Sequence, residues 1–93
     1  MDLHIKDVLK KMIREDKKVG NGYYTEKVRH FWKNELSESI SKRTKDIRYT
    51  NGTLILKLES AALRQELFNN KESLISRLNE FLGEEVITDI SIK

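Results

Sequence analysis

The chain contains no cysteine, which excludes disulfides and thiolate metal sites. It has only two histidines, His4 and His30, and the helices predicted below keep them apart. No apolar run approaches the roughly 18 residues that a membrane-spanning helix requires. The opening Met1-Asp2-Leu3-His4-Ile5-Lys6 lacks the apolar core of a signal peptide, so cytoplasmic residence without a membrane partner is expected. Catalytic signatures are missing as well: there is no HExxH pair, no GxSxG elbow and no P-loop. Glycine is scarce, and its one concentration, Val19-Gly20-Asn21-Gly22, lacks the ending of a phosphate-binding loop and follows no β-run. Carboxylates are numerous, but most fall on polar helix faces as ordinary solvating charge. The expectation is a protein that is not an enzyme and holds no cofactor and no metal.

What is present fits one soluble globular domain spanning residues 1–93, 38% hydrophobic and 35% charged. A chain of this size buries only a modest core. The net charge of +3 is unevenly spread: residues 1–50 carry 13 Lys and Arg against 8 Asp and Glu, whereas residues 51–93 carry 5 against 7. A basic half permits polyanion binding; it is equally compatible with a solvated surface.

The strongest local signal is Asn51-Gly52, set between two runs that alternate in polarity. Both central residues of a type I′ turn need positive φ, which is why Asn-Gly marks a tight hairpin. The turn fixes a register in which Tyr49 faces Leu54, Ile47 faces Leu56 and Lys45 faces Leu58. Ile47, Tyr49, Leu54 and Leu56 then share the core face. Arg48 faces Ile55 and Asp46 faces Lys57 on the outer side, the latter an opposite-charge pair.

Around the hairpin, apolar spacing predicts helices. The first runs over residues 3–15, with Asp2 as cap and Ile5, Val8, Leu9, Met12 and Ile13 on one stripe. A basic amphipathic helix can suggest a membrane surface, but the stripe has no Trp or Phe and is expected to pack on the domain core. Residues 16–24 read as a flexible linker. A second helix starts with Thr25 as N-cap and continues to Ser37 or beyond, burying Val28, Phe31, Trp32 and Leu36. A third, capped by Ser60, covers residues 61–68 with Leu63, Leu67 and Phe68 at helical spacing. A fourth, with Asn69 and Glu72 as a capping box, buries Leu74, Ile75, Leu78, Phe81 and Leu82 and ends at Gly83. A last strand occupies residues 86–92, and the sequence leaves its pairing open. The order is one helix followed by αββααβ over residues 25–93. Three strands with one apolar face need helices to cover them, so the fold class is a two-layer α+β sandwich with a three-stranded sheet.

Several segments in order carry a family resemblance: Trp32, Ser41-Lys42-Arg43-Thr44, Asn51-Gly52-Thr53-Leu54, Ser60-Ala61-Ala62-Leu63-Arg64-Gln65-Glu66-Leu67, Leu78-Asn79-Glu80, and Gly83-Glu84-Glu85-Val86-Ile87. Together they resemble the DciA family, small bacterial proteins with a KH-like fold that work with the replicative DNA helicase. One departure is Ser37, where the family usually has glycine. The resemblance implies a DNA replication accessory protein in contact with the replicative DNA helicase and with nearby DNA. The alternatives are a KH-like RNA- or DNA-binding module without a helicase partner, and a structural adaptor.

The candidate nucleic-acid residues are Lys42, Arg43, Lys45 and Arg48, the densest basic segment of the chain, helped by Lys33 near the end of the second helix. Weak, sequence-neutral contact with single- or double-stranded DNA, or RNA, is expected there. KH domains usually grip nucleic acid with a GxxG loop between consecutive helices. Here that junction is Asn69-Asn70-Lys71-Glu72, with neither glycine and with a carboxylate that repels phosphate. Exposed aromatics of the RNP type are also expected to be absent. Arg64 and Gln65, on the side of the third helix away from Leu63 and Leu67, are the candidate helicase contacts.

Overall fold

The computed structural model describes residues 5–93. Along the chain lie α1 (Ile5–Glu15), α2 (Lys17–Glu35), α3 (Glu38–Lys42), β1 (Thr44–Thr50), β2 (Thr53–Leu58), α4 (Ala61–Asn69), α5 (Lys71–Leu82) and β3 (Asp89–Ile92). The α+β class and the αββααβ order stand, with a short extra helix, α3, before the hairpin. Ser37 is the extended residue at which α3 begins, at φ −64 and ψ 152. No left-handed conformation is needed there, so serine serves in place of the family's glycine.

The hairpin forms in the expected register, with Tyr49 opposite Leu54, Ile47 opposite Leu56, Arg48 opposite Ile55 and Asp46 opposite Lys57. Asn51 and Gly52 take φ of 45 and 96, as a type I′ turn requires. One pair differs. The register shifts between Thr44 and Asp46, so Thr44 rather than Lys45 faces Leu58. The extra residue is a bulge, and Lys45 projects from it into solvent. The last strand is shorter than expected and lies parallel to β2, which becomes the central strand. Val86 and Ile87 precede it as a loop. Asn79 holds that loop: its amide donates to the Ile87 carbonyl and its oxygen accepts from the Ile87 amide, both at 2.9 Å.

The core lies between one face of the sheet and the helices. Ile47, Tyr49, Leu54, Leu56 and Ile90 from the sheet pack with Val28, Trp32, Leu63, Leu67, Leu74 and Leu78. Trp32 anchors it, fully buried, while its indole N–H donates to Thr44 Oγ1 at 2.8 Å. Ser60 caps α4 by accepting from the Leu63 amide. Phe68, at the end of the same stripe, is 59% exposed and outside the core. Asn70, not Asn69, precedes α5, and it makes no side-chain cap.

Two expectations fail in the first third of the chain. Residues 16–24 are no linker, and Thr25 is no cap. The Asp16 carboxylate accepts from the amides of Lys18 and Val19, so α2 begins at Lys17. Gly20 permits the elbow between α1 and α2, because a Cβ there would stand 2.6 Å from the Ile13 carbonyl oxygen. The stripe on α1 does not pack on the core either. Ile5 is 77% and Leu9 50% exposed, Val8 and Met12 are exposed too, and only Ile13 reaches the cluster. The proposed cap Asp2 lies outside the described residues.

Candidate nucleic-acid and partner surfaces

The free edge of β1 is closed by side chains of α2 spaced one every four residues. The Asn21 oxygen accepts from the Asn51 amide at 3.0 Å. Thr25 Oγ1 accepts from the buried Tyr49 amide at 2.9 Å while donating to the Asn21 carbonyl at 2.7 Å. Arg29 donates to the Ile47 carbonyl at 3.3 Å. Four-residue spacing puts these side chains on one helix face, and that face satisfies backbone groups that would otherwise invite another strand. Local reading missed the ladder because Asn21 and Thr25 look like turn and cap residues. Their shared period with Arg29 is the signal that could have found it.

Of the five basic residues expected to meet nucleic acid, the fold gathers some and disperses others. Lys33 and Lys45 line one cavity of about 380 Å³ with Arg29, Trp32, Ser41, Thr44, Asp46 and Ile47. Lys42 lies on α3, Arg43 follows it, and Arg48 projects from the outer face of the sheet. Three of them already hold carboxylates: Lys42 with Glu38 at 3.1 Å, Lys45 with Glu59 at 3.5 Å and Arg48 with Asp46 at 3.9 Å. Among the described residues, Lys33 and Arg43 have no such partner within 4 Å. Exposed pairs of this kind contribute about 0–1 kcal/mol each, so they exchange readily for phosphate. Arg29, which the sequence did not single out, is held by Glu26 at 3.0 Å and Asp46 at 3.7 Å.

The candidate partner residues are differently placed. Arg64 is half-buried and donates to the Leu58 carbonyl at 2.9 Å, closing the end of β2. Gln65 is exposed and donates to Asn69 at 2.9 Å. The α4–α5 junction is the single residue Asn70, with no GxxG loop. Its neighbour Lys71 turns back onto Asp89 at 2.8 Å. That hydrogen bond and charge hold the Asp89 carboxyl below the usual carboxylate range.

The exposed aromatics among the described residues lie on helices and not on the sheet face where RNP-type residues would sit. They are Tyr23 on α2, Phe68 on α4 and Phe81 on α5. Behind Tyr23, Tyr24 is buried and its hydroxyl donates to Glu84 at 2.9 Å. Burial, reinforced by that carboxylate, raises the Tyr24 phenol well above its ordinary value. Burial also raises Tyr49, whose hydroxyl donates to the Val86 carbonyl. Among the described residues no three His, Asp or Glu side chains group as metal ligands, and no helix is long and apolar enough to cross a membrane.

These features define a KH-like α+β domain of αββααβ order, carrying an additional helix ahead of it whose apolar stripe is largely uncovered. The chain belongs to the DciA family: the family model described as "Dna[CI] antecedent, DciA" matches residues 4–92. That family is associated with DNA replication. No curated protein and no solved structure matches the chain.

Proposed function

We propose that this protein is a non-enzymatic replication accessory factor that docks on the replicative DNA helicase through α1 and touches DNA weakly, without sequence preference. The observation that carries the reading is the uncovered stripe of α1, where Ile5, Val8, Leu9 and Met12 stand exposed. Lys6, Lys10, Lys11 and Arg14 flank it. A contiguous apolar strip rimmed by charge is the mark of an interaction surface, and an amphipathic helix laid into a groove is a common docking mode. Membership of a replication-associated family supports a helicase as the partner. The cations ask for an acidic rim on it.

A second surface is favoured by one observation. Phe68, four residues after Arg64, is the most exposed aromatic of the described chain, and it extends the Arg64–Gln65 side of α4. Two variants separate the faces. Leu9→Glu alters a residue already half in solvent and leaves the core intact, whereas Arg64→Glu alters α4. Helicase binding measured by biolayer interferometry is expected to weaken about tenfold or more with Leu9→Glu, as for the loss of one central apolar contact. Arg64→Glu is expected to change it little. The reverse result moves the contact to α4. Absence of binding by the unaltered protein leaves a KH-like nucleic-acid module or a structural adaptor as the function.

A further inference from the structure

We propose that the groove between α2 and α5 is a stacking subsite for the bases of a single-stranded nucleic acid; this rests on the nucleic-acid reading above. Helical spacing sets Tyr23, Lys27 and His30 along one side of α2, and sets Arg77 four residues before Phe81 on α5. Tyr23, Glu26, Lys27, His30 and Phe81 line a groove of about 570 Å³. Tyr23 is 39% and Phe81 38% exposed.

Each exposed ring is braced by a buried one. Phe81 meets Phe31 edge-on at 5.1 Å between centroids, and Tyr23 meets Tyr24 in the same way at 5.1 Å. Tyr24 is in turn fixed by its hydrogen bond to Glu84. The two platforms are therefore held in place before any ligand arrives. Ordering a loose ring on binding would offset part of what stacking contributes.

Cations interleave with the rings. Lys27 Nζ stands 5.6 Å from the Tyr23 centroid, and the Arg77 guanidinium 5.6 Å from that of Phe31. Among the described residues neither has a carboxylate within 4 Å. Glu26, the one carboxylate lining the groove, is taken up by Arg29. A wholly apolar occupant would strip water from Lys27 and Arg77 and offer no anion in return. A single strand offers base faces to the rings and phosphates to the cations, the combination that sequence-neutral single-strand binders use. Bases in a duplex are stacked on one another and cannot reach the rings. Beyond Tyr23 the groove adjoins a second cavity where Lys10 and Arg14 of α1 stand beside one carboxylate, Glu84, which accepts from Tyr24; the two cations there outnumber it along the line a backbone would follow.

The test compares a labelled oligothymidine with an abasic strand of equal length, by fluorescence anisotropy at low salt. The double variant Tyr23→Leu, Phe81→Leu keeps apolar bulk but removes both π faces. The unaltered protein is expected to bind oligothymidine more tightly than the abasic strand. The variant is expected to lose about tenfold or more on oligothymidine, the range for stacked bases, and to bind the abasic strand as before. Unchanged oligothymidine affinity in the variant overturns the subsite and leaves nucleic-acid binding elsewhere intact. An equal loss on both strands also overturns stacking. Failure of the unaltered protein to bind either strand overturns the nucleic-acid reading itself. Should thermal melting show the double variant unfolded, Tyr23→Leu alone, at a ring on the surface of α2, is read against the same outcomes.

Discussion

Gly52 does more than close the hairpin. Its φ of 96 lies in the region that L side chains avoid. Its carbonyl also accepts from the Thr88 amide at 2.8 Å, tying the turn to the approach of β3. A Cβ at Gly52 would come within 3.0 Å of Thr88 Oγ1. Gly52→Val should therefore lose on two counts: backbone strain of about 1–2 kcal/mol and crowding where the turn meets β3. Asn51→Gly removes a side chain that makes no hydrogen bond among the described residues and keeps the backbone amide that donates to Asn21, so it should be mild. Urea denaturation of the two variants checks this, and equal shifts would argue against a strained turn. Individual pairings such as Ile47 with Leu56 were readable because a tight turn and a period of two leave one register that buries both. The bulge at Lys45 was not readable. Nothing in Thr44-Lys45-Asp46 signals an extra residue, and it arises where the strand leaves α3 and the ladder begins.

Helix α2 illustrates how tertiary structure overrides local preference. Gly20, Asn21 and Gly22 disfavour helix, each glycine by about 1 kcal/mol relative to alanine, and together they read as a joint. In the folded molecule Asp16 caps the helix, Gly20 admits the Ile13 carbonyl, and Asn21, Thr25 and Arg29 reach the edge of β1. Two of the three residues that look like breakers in isolation, Gly20 and Asn21, are ones the packing uses, whereas Gly22 has open space around it. Thr25 is the sharpest case, since its hydroxyl oxygen accepts from the buried Tyr49 amide. Thr25→Val keeps shape but leaves that amide unsatisfied, and is expected to destabilise by about 1–3 kcal/mol. Thr25→Ser keeps the acceptor and should lose clearly less. If both variants melt alike, the hydrogen bond contributes nothing and the ladder is only packing. The α1 helix presents the opposite case. Periodicity identified its apolar stripe correctly, but a stripe says which face is apolar and not what covers it.

Across the molecule, the charge asymmetry seen in the sequence survives folding but is partly spent internally. Lys42, Lys45 and Arg48 each face a carboxylate, while Lys33 and Arg43 face none among the described residues. The basic surface near α3 and β1 was readable as a cluster in the chain. Its pairing was readable only in part: Glu38 and Lys42 stand four apart on α3 and Asp46 and Arg48 share β1, but Glu59 reaches Lys45 from beyond the end of β2. A polyanion binding there exchanges weak surface pairs for phosphate contacts, which read no base edges. With about three or four phosphates neutralised, log K should fall with log salt at a slope of about −2 to −3 on a single strand, at about 0.7 per contact. Changing Lys42, Arg43 and Lys45 together to Glu reverses three charges on exposed side chains and places like charges beside Glu38 and Glu59. Circular dichroism should show the fold retained, since none of the three touches the core. Anisotropy at two salt concentrations should then show lost affinity and a shallower slope. A folded triple variant that binds with the original slope removes this surface as the phosphate site. The cations of α1, Lys6, Lys10, Lys11 and Arg14, of which Lys10 and Arg14 border the cavity beside Tyr23, would then carry the contact instead.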